Sequence, residues 1–288
     1  MYKRCIMKRI LVPCDFSKPA INAYRFALDV AALSNGTIHL INVIELPRVP
    51  NTILTPVRSL GINLMKEMSA KAQAKFEKIS TTYKQQGVKI VSKIDFGVSS
   101  EIILTYAKKH SIDLIIMGSH GATGLKEFFV GSNAEKIVRT SPIPVIVVKN
   151  FYKGHLKNIV FPNALDTENQ KDLISKVKVL QTFFKAHLHL VWINTPVNFT
   201  TDTETIKRLT AFAKQFALKD FTINIYNHLD EEEGIVQFAN SINADLIAMG
   251  THGRKGLSHM MSGSMTENVA NHGKSLIWTY VMKKDKKQ

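Results

Sequence analysis

Short apolar runs bounded by turn residues alternate along this chain with longer segments whose apolar positions recur every three or four residues, the signature of strands and helices taking turns. In the first half the runs predict strands at Arg9–Pro13, Thr37–Ile44, Lys89–Asp95, Leu114–Met117 and Val145–Val148. Helices fill the gaps at Pro19–Leu33, Leu64–Gln86, Ser100–His110 and Asn133–Arg139. The second half repeats the layout, with strands at Asn158–Phe161, His187–Ile193, Thr222–Asn227, Leu246–Met249 and Leu276–Tyr280. Its helices fall near Thr167–Lys185, Thr203–Leu218, Glu232–Ser241 and Thr266–Asn271. Strict alternation implies α/β architecture. The expected fold is two doubly wound, five-stranded parallel-sheet (Rossmann-like) domains, residues 1–150 and 151–288, with the seam around Lys149-Asn150-Phe151-Tyr152-Lys153-Gly154. Each half is large enough to bury its own core. Sheets of this kind bind ligands outside the carboxyl ends of their strands, where strand order reverses.

At that end of the fourth strand of each half the chain carries the same loop. Gly118-Ser119-His120-Gly121 is followed after nine residues by Gly131-Ser132, and Gly250-Thr251-His252-Gly253 after nine residues by Gly263-Ser264. The offset is 250 − 118 = 132, and nine of the 22 positions from Met117–Val138 to Met249–Ala270 are identical. A duplicated half of this length marks an internal repeat. Ser132-x-x-Glu135 and Ser264-x-x-Glu267 both read as capping boxes, so a helix is expected to start at each Gly-Ser. A glycine turn between a strand end and a helix start lets backbone N–H groups converge on an anion.

Composition narrows the partners. The chain is 45% hydrophobic and 21% charged, an ordinary globular balance. It has no apolar run long enough for a spanning helix, so no membrane partner is expected. The N-terminus lacks the apolar stretch and cleavage site of a secretory signal, and Met7-Lys8-Arg9-Ile10 reads as a natural strand start. Two cysteines, Cys5 and Cys14, make no disulfide framework and suit a reducing cytoplasm. Cys14 ends the first strand and reads as a buried, inert thiol. The net charge of +15 raises nucleic acid as a partner. The basic residues are scattered over helix faces, as at Lys66, Lys71, Lys75 and Lys78, apart from the tail Lys283-Lys284-Asp285-Lys286-Lys287. No RNA-binding aromatic motif, zinc spacing or helix-turn-helix pattern accompanies them, so specific nucleic-acid binding is not expected. A basic surface instead favours phosphate ligands electrostatically.

Ile10-Leu11-Val12-Pro13-Cys14-Asp15-Phe16-Ser17, Asn42-Val43-Ile44 and the Gly118–Ser132 loop together resemble the universal stress protein family. Asn158-Ile159-Val160-Phe161-Pro162 and Gly250–Ser264 resemble the same family, so the chain is similar to a tandem universal stress protein. The loop pattern is that of the family's nucleotide-binding members. The resemblance implies that the glycines and Gly-Ser hold the phosphates and ribose of ATP or another adenine nucleotide, with Mg²⁺ accompanying the phosphates. An aspartate after the first strand and main-chain groups at the end of the second would contact the adenine side. The implied nucleotide-binding residues are Pro13, Asp15, Val43, Met117, Gly118, His120, Gly121, Gly131, Ser132 and Asn133, with Gly250, His252, Gly253, Gly263 and Ser264 as the second set. The resemblance also implies an intramolecular pseudo-dimer in which Val145–Val148 pairs with Ile277–Tyr280; a homodimer of the whole chain is a further association.

Several of these residues have a second reading. Gly118 and Gly121 permit positive φ or close backbone approach, and either is also served by an ordinary tight turn. Ser132 and Asp15 each suit a helix cap, and His120 has no acid–base partner nearby in sequence. The second half departs from the first. In register with Pro13, Pro162 puts Ala164 where Asp15 stands. Leu229 takes the place of Gly97, and Asp230-Glu231-Glu232-Glu233 that of Val98-Ser99-Ser100-Glu101. The acidic run would repel phosphate if it faced the site, with Arg254 and Lys255 as partial compensation. Gly273-Lys274-Ser275 mimics the end of a P-loop, but Asn268 stands where that motif needs glycine. No nucleophile elbow, metal-ligand spacing or His/Asp pair supports catalysis beyond slow ATP hydrolysis, and no catalytic or metal-ligating residue is expected. The expected function is adenine-nucleotide binding in a stress response or signalling role, mainly in the first half. The alternative is a scaffold of the same family that no longer binds nucleotide and acts through protein contacts.

Overall fold

A computed structural model describes residues 7–45, 56–119, 131–163, 170–251 and 275–282. Its elements follow the predicted alternation. The first half runs β1 (Arg9–Pro13), α1 (Lys18–Ser34), β2 (Thr37–Ile44), α2 (Pro56–Thr82), β3 (Lys89–Phe96), α3 (Ser99–Lys109), β4 (Leu114–Gly118), α4 (Ser132–Thr140) and β5 (Val145–Val148). The second runs β6 (Asn158–Pro162), α5 (Lys171–Phe184), β7 (His187–Asn194), α6 (Asp202–Gln215), β8 (Phe221–Asn227), α7 (Glu231–Ser241), β9 (Leu246–Thr251) and β10 (Leu276–Val281). The helix expected at Thr266–Asn271 lies outside the described residues.

Local chemistry explains the helix ends. Ser17 accepts the Ala20 N–H at 3.3 Å to start α1, and Asn35 ends it in the left-handed conformation at φ 49. Helix α2 stops at Thr82 rather than at the expected Gln86. The Thr81 and Thr82 hydroxyls donate back to the carbonyls of Glu77 and Lys78 at 2.8 Å, which competes with continuation of the helix. It also begins eight residues before the expected Leu64, so its 27 residues contrast with the 14 of α6 in the corresponding place.

The strands form one ten-stranded sheet in the order β3-β2-β1-β4-β5-β10-β9-β6-β7-β8, which reads alike from both ends. Within each half all neighbours are parallel. Ile10 stands opposite Leu114, and in the second half Ile159 stands opposite Leu246, so strand order reverses between β1 and β4 and again between β6 and β9. The halves join where β5 and β10 pair antiparallel, Val147 opposite Ile277 and Val145 opposite Thr279, as the expected pairing had it. That pairing removes two edges rich in β-branched residues. Apolar side chains on both faces of the sheet bury without exposure, Ile10, Val12, Leu40 and Trp278 on one face and Leu11, Ile115 and Val147 on the other.

An aspartate closes the base of each half. Asp113 Oδ2 accepts the Lys8 and Arg9 N–H groups at 3.1 and 2.9 Å, and Asp245 Oδ2 accepts those of Lys157 and Asn158 at 2.8 and 2.9 Å. The connection between halves is tied on both sides. Tyr152 donates its hydroxyl to Asp245 at 2.8 Å, and the Phe151 ring lies 3.5 Å from the Arg25 guanidinium of α1.

Candidate functional site

The carboxyl end of β1 turns sharply into α1. Pro13 pairs with Ile41, and the Cys14 N–H continues the ladder to the Ile41 carbonyl at 2.8 Å. Buried Asn42 donates its side-chain amide to the Cys14 carbonyl at 2.8 Å, locking the ends of β1 and β2 together. Asp15 is exposed, and its Oδ1 accepts the Ser17 N–H at 3.0 Å. It therefore shapes the turn, while Ser17 is the cap of α1; the capping reading of Asp15 is corrected. Between them Phe16 holds φ 67, a conformation costly for a bulky residue. Its ring is held against Phe76 at 5.1 Å, with the Lys75 ammonium 5.1 Å above it. Burial pushes the Cys14 thiol up to about 12, which makes it the inert group expected.

Gly118 ends β4 beside this turn. A Cβ there would stand 2.7 Å from the Pro19 carbonyl carbon and 2.9 Å from the Ala20 nitrogen. The residue pairs with Val148 in regular strand geometry, so its glycine is needed for the close approach of α1 and not for a positive φ. Met117 before it is buried. The Ser119 N–H reaches the Val148 carbonyl at 3.1 Å, and the Gly131 N–H reaches the Ser119 carbonyl at 2.8 Å. Both ends of the loop are pinned, bringing the start of α4 to the end of β4. His120 and Gly121 lie outside the described residues.

Gly131, not Ser132, is the N-cap of α4. It is extended at φ −61 and ψ 146, and its carbonyl already accepts the Glu135 N–H at 2.9 Å. That bond places Ser132 inside the first turn, where no side-chain cap bond forms, so the capping-box reading is corrected. The exposed first turn of α4, with Ser132 and Asn133, thus presents N–H groups the helix cannot satisfy by itself, at the positive end of its dipole. Half-buried Val43 lies near the end of β2, opposite Asp95.

Glu45, which sequence reasoning missed, follows directly. Its Oε1 accepts the Ser99 N–H at 3.0 Å, starting α3 where Val98 offers no side-chain cap. Hydrogen bonds from Ser99, and then from Asn133, hold its carboxyl below the usual range. The residue thus joins the end of β2 to the starts of α3 and α4, beside the reversal between β1 and β4. One residue past β5, half-buried Lys149 is pushed down to about 8 by burial.

The second half keeps this frame and fills it differently. The Asn163 N–H reaches the Val191 carbonyl at 3.0 Å, as Cys14 does in the first half, and the Asn163 amide lies 3.4 Å from Gln170 Oε1. Trp192 stands where Asn42 does, its indole N–H buried without a partner among the described residues. A Cβ at Gly250 would meet Leu173 Cδ2 at 2.6 Å and Met282 Cε at 3.1 Å. In place of Glu45 stands Thr195, buried, with its hydroxyl accepting the Asn198 N–H at 3.2 Å. The expected match of Leu229 to Gly97 is also corrected. The Gly97 N–H bonds the Ile44 carbonyl and the His228 N–H bonds the Asn194 carbonyl, both at 3.1 Å, so Gly97 matches His228. Leu229 is an additional residue, 84% exposed. Asp230 caps α7 through the Glu233 N–H at 2.8 Å, so the acidic run sits at a helix N-terminus that favours it. Ala164, His252, Gly253, Arg254, Lys255, Gly263 and Ser264 lie outside the described residues. Among the described residues no three His, Cys, Asp or Glu side chains converge as a metal site, and no helix is long and apolar enough to cross a membrane.

Comparison with known proteins agrees with this architecture. A model of the universal stress protein family matches residues 7–149 and 196–277. A universal stress protein of Methanocaldococcus jannaschii is 31% identical over 144 residues, covering 50% of this chain and 83% of its own length. One from Synechocystis is 25% identical over 284 residues, covering 91% of this chain and 96% of its own. Among solved structures, a universal stress protein from Archaeoglobus fulgidus superimposes with a TM-score of 0.73 at 18% identity, covering 96% of this chain and 98% of that one, and so shares its fold.

Proposed function

The chain belongs to the universal stress protein family, and from that premise we propose that its first half, residues 1–150, binds ATP or another adenine nucleotide, while the second, residues 151–288, binds it far more weakly. The observation that carries the reading is the pinned loop, in which the Gly131 N–H to Ser119 bond of 2.8 Å sets the first turn of α4 beside the end of β4. The N–H groups of Ser132 and Asn133 face anions favourably there, and phosphate is their natural ligand. Asp15, near Pro13, supplies a carboxylate on the opposite wall for the purine side, and the main chain at Val43 supplies the polar edge. Gly118 seats α1 close enough for these groups to share one crevice, and the loop residues His120 and Gly121 complete the phosphate contacts. Mg²⁺ would arrive on the phosphates, keeping its own waters. The role is binding in a stress or signalling response; no residue is assigned a catalytic step.

The scaffold reading has support in the second half, where Trp192 replaces Asn42 at the end of β7 and the side chains of Leu173 and Met282 pack at Gly250. Titration calorimetry with MgATP on the full chain tests both parts. One binding phase near one equivalent is expected, lost in Gly121→Val and weakened in Asp15→Ala, with Gly253→Val unaffected. No heat at millimolar nucleotide, together with no adenine nucleotide released on denaturation, would refute binding. Two equal sites would refute the asymmetry.

A further inference from the structure

The antiparallel β5–β10 junction points the carboxyl ends of the two halves toward opposite ends of the molecule. Among the described residues those two ends differ in charge and share exposed apolar side chains. At the end belonging to the second half, β7 and β8 finish side by side, Asn194 opposite Asn227, with their side-chain amides 3.0 Å apart. The loop after β7 carries Val197 and Phe199, 90% and 69% exposed, and the loop after β8 carries the extra residue Leu229 at 84%. The loop after β7 is ordered by its own bonds, Thr200 N–H to Asn194 Oδ1 at 3.0 Å and the Thr200 and Thr205 hydroxyls at 2.6 Å. The helices that begin here bring Asp202 and Glu204 at α6 and Asp230 to Glu233 at α7. An acidic rim around exposed apolar groups is an unusual feature on a chain of net charge +15.

The other end offers the complement. Among its described side chains α2 enters the core from Ala72 onward, through Ala72, Phe76 and Ile79, and ahead of them Ile62 and Leu64 stay 54% and 50% exposed. At about 100° per residue, Leu64, Lys71, Lys75 and Lys78 fall within roughly one 60° arc of the helix. Glu67 offsets Lys71 through its 2.5 Å ion pair, leaving Lys75 and Lys78 as the net charge of that face. We propose that the α2 face of one copy docks on the acidic apolar rim of a second copy, so that the chain associates head to tail.

Such a contact joins two different surfaces, so it is heterologous; it forms a ring where the rotation closes and an open filament where it does not. Opposite charge steers the encounter, and the apolar groups at the centre are what desolvates. Sedimentation velocity of the full chain tests it. The average mass should climb beyond a dimer with protein concentration at low salt and fall as salt screens the rims. Leu64→Glu should abolish association, and so should the double change Phe199→Lys with Leu229→Lys, each with an unchanged circular dichroism spectrum because the replaced side chains are exposed. A one-to-one mixture of these two variants retains one good face of each kind and should form a dimer that grows no further. A wild-type monomer at every concentration in low salt, growth that stops at a dimer, or a mixture that does not pair would each overturn the proposal. So would a monomer that instead binds phosphatidylserine vesicles through Leu64.

Discussion

The two loop glycines that begin the repeated motif are predicted to tolerate a methyl group very differently. At Gly118 the new Cβ would meet the Pro19 carbonyl carbon at 2.7 Å and the Ala20 nitrogen at 2.9 Å, main-chain atoms in the first turn of α1 that cannot rotate aside. Relief requires α1 to move away from β4 by several tenths of an ångström. That helix buries eleven residues, and a gap of about 0.5–1 Å already forfeits a quarter to a half of each dispersion well along its face. Overpacking of this kind costs about 1–3 kcal/mol, and a backbone clash belongs at the upper end. At Gly250 the closest atoms are Leu173 Cδ2 at 2.6 Å and Met282 Cε and Sδ at 3.1 and 3.2 Å, the far ends of side chains that can change rotamer. The loss there should stay below about 1 kcal/mol, partly offset by the smaller conformational entropy of an unfolded alanine. Urea unfolding followed by circular dichroism should therefore place Gly118→Ala about 1–2 kcal/mol below Gly250→Ala, with equal slopes so that the midpoints are comparable. In thermal melts the gap amounts to a few degrees for a chain of this size. A Gly250→Ala variant as destabilised as Gly118→Ala, or more so, would refute the assignment of Gly118 to helix packing.

Two further outcomes follow from titrating groups. Glu45 is held below its ordinary value near 4.5, first by the Ser99 hydrogen bonds, so its contribution to stability is present above that value and is lost as pH falls through the lower folded value. Wild type should exceed Glu45→Gln at neutral pH, with the difference closing below about 4.5; a pH-independent difference would contradict the strap. Cys14, with its thiol pushed up to about 12, should ignore Ellman's reagent at pH 8 in a Cys5→Ser background until urea is added, and prompt stoichiometric colour in the folded protein would show the site to be open.

The sheet was readable because its strands are short runs rich in apolar, mostly β-branched residues with abrupt ends. Arg9–Pro13, Thr37–Ile44 and Val145–Val148 appear in the structure at the expected bounds. The site was legible as a list of residues more than as a set of roles. Ser132-x-x-Glu135 satisfies a local rule, yet the extended Gly131 before it takes the cap, a choice made by backbone geometry. Gly118 stood out as glycine, but its cause is a helix returning from almost a hundred residues earlier in the chain. Glu45 left no trace, because its partners Ser99 and Asn133 lie on different helices and no periodicity links them. Leu229 is an added residue, so a constant offset between the halves fails across it, and the His228–Asn194 bond sets the register there.

The β5–β10 pairing also sets a timetable for synthesis. The strands that surround β1 can order themselves as they emerge, but β5, complete at Val148, waits for a partner that ends at Val281, 281 − 148 = 133 residues later. At roughly 5–20 residues per second, that is about 7–27 s during which four consecutive β-branched residues stand as an unpaired edge. Chain elongation, more than the stability of the finished sheet, thus decides how long this protein is vulnerable to pairing with the wrong strand.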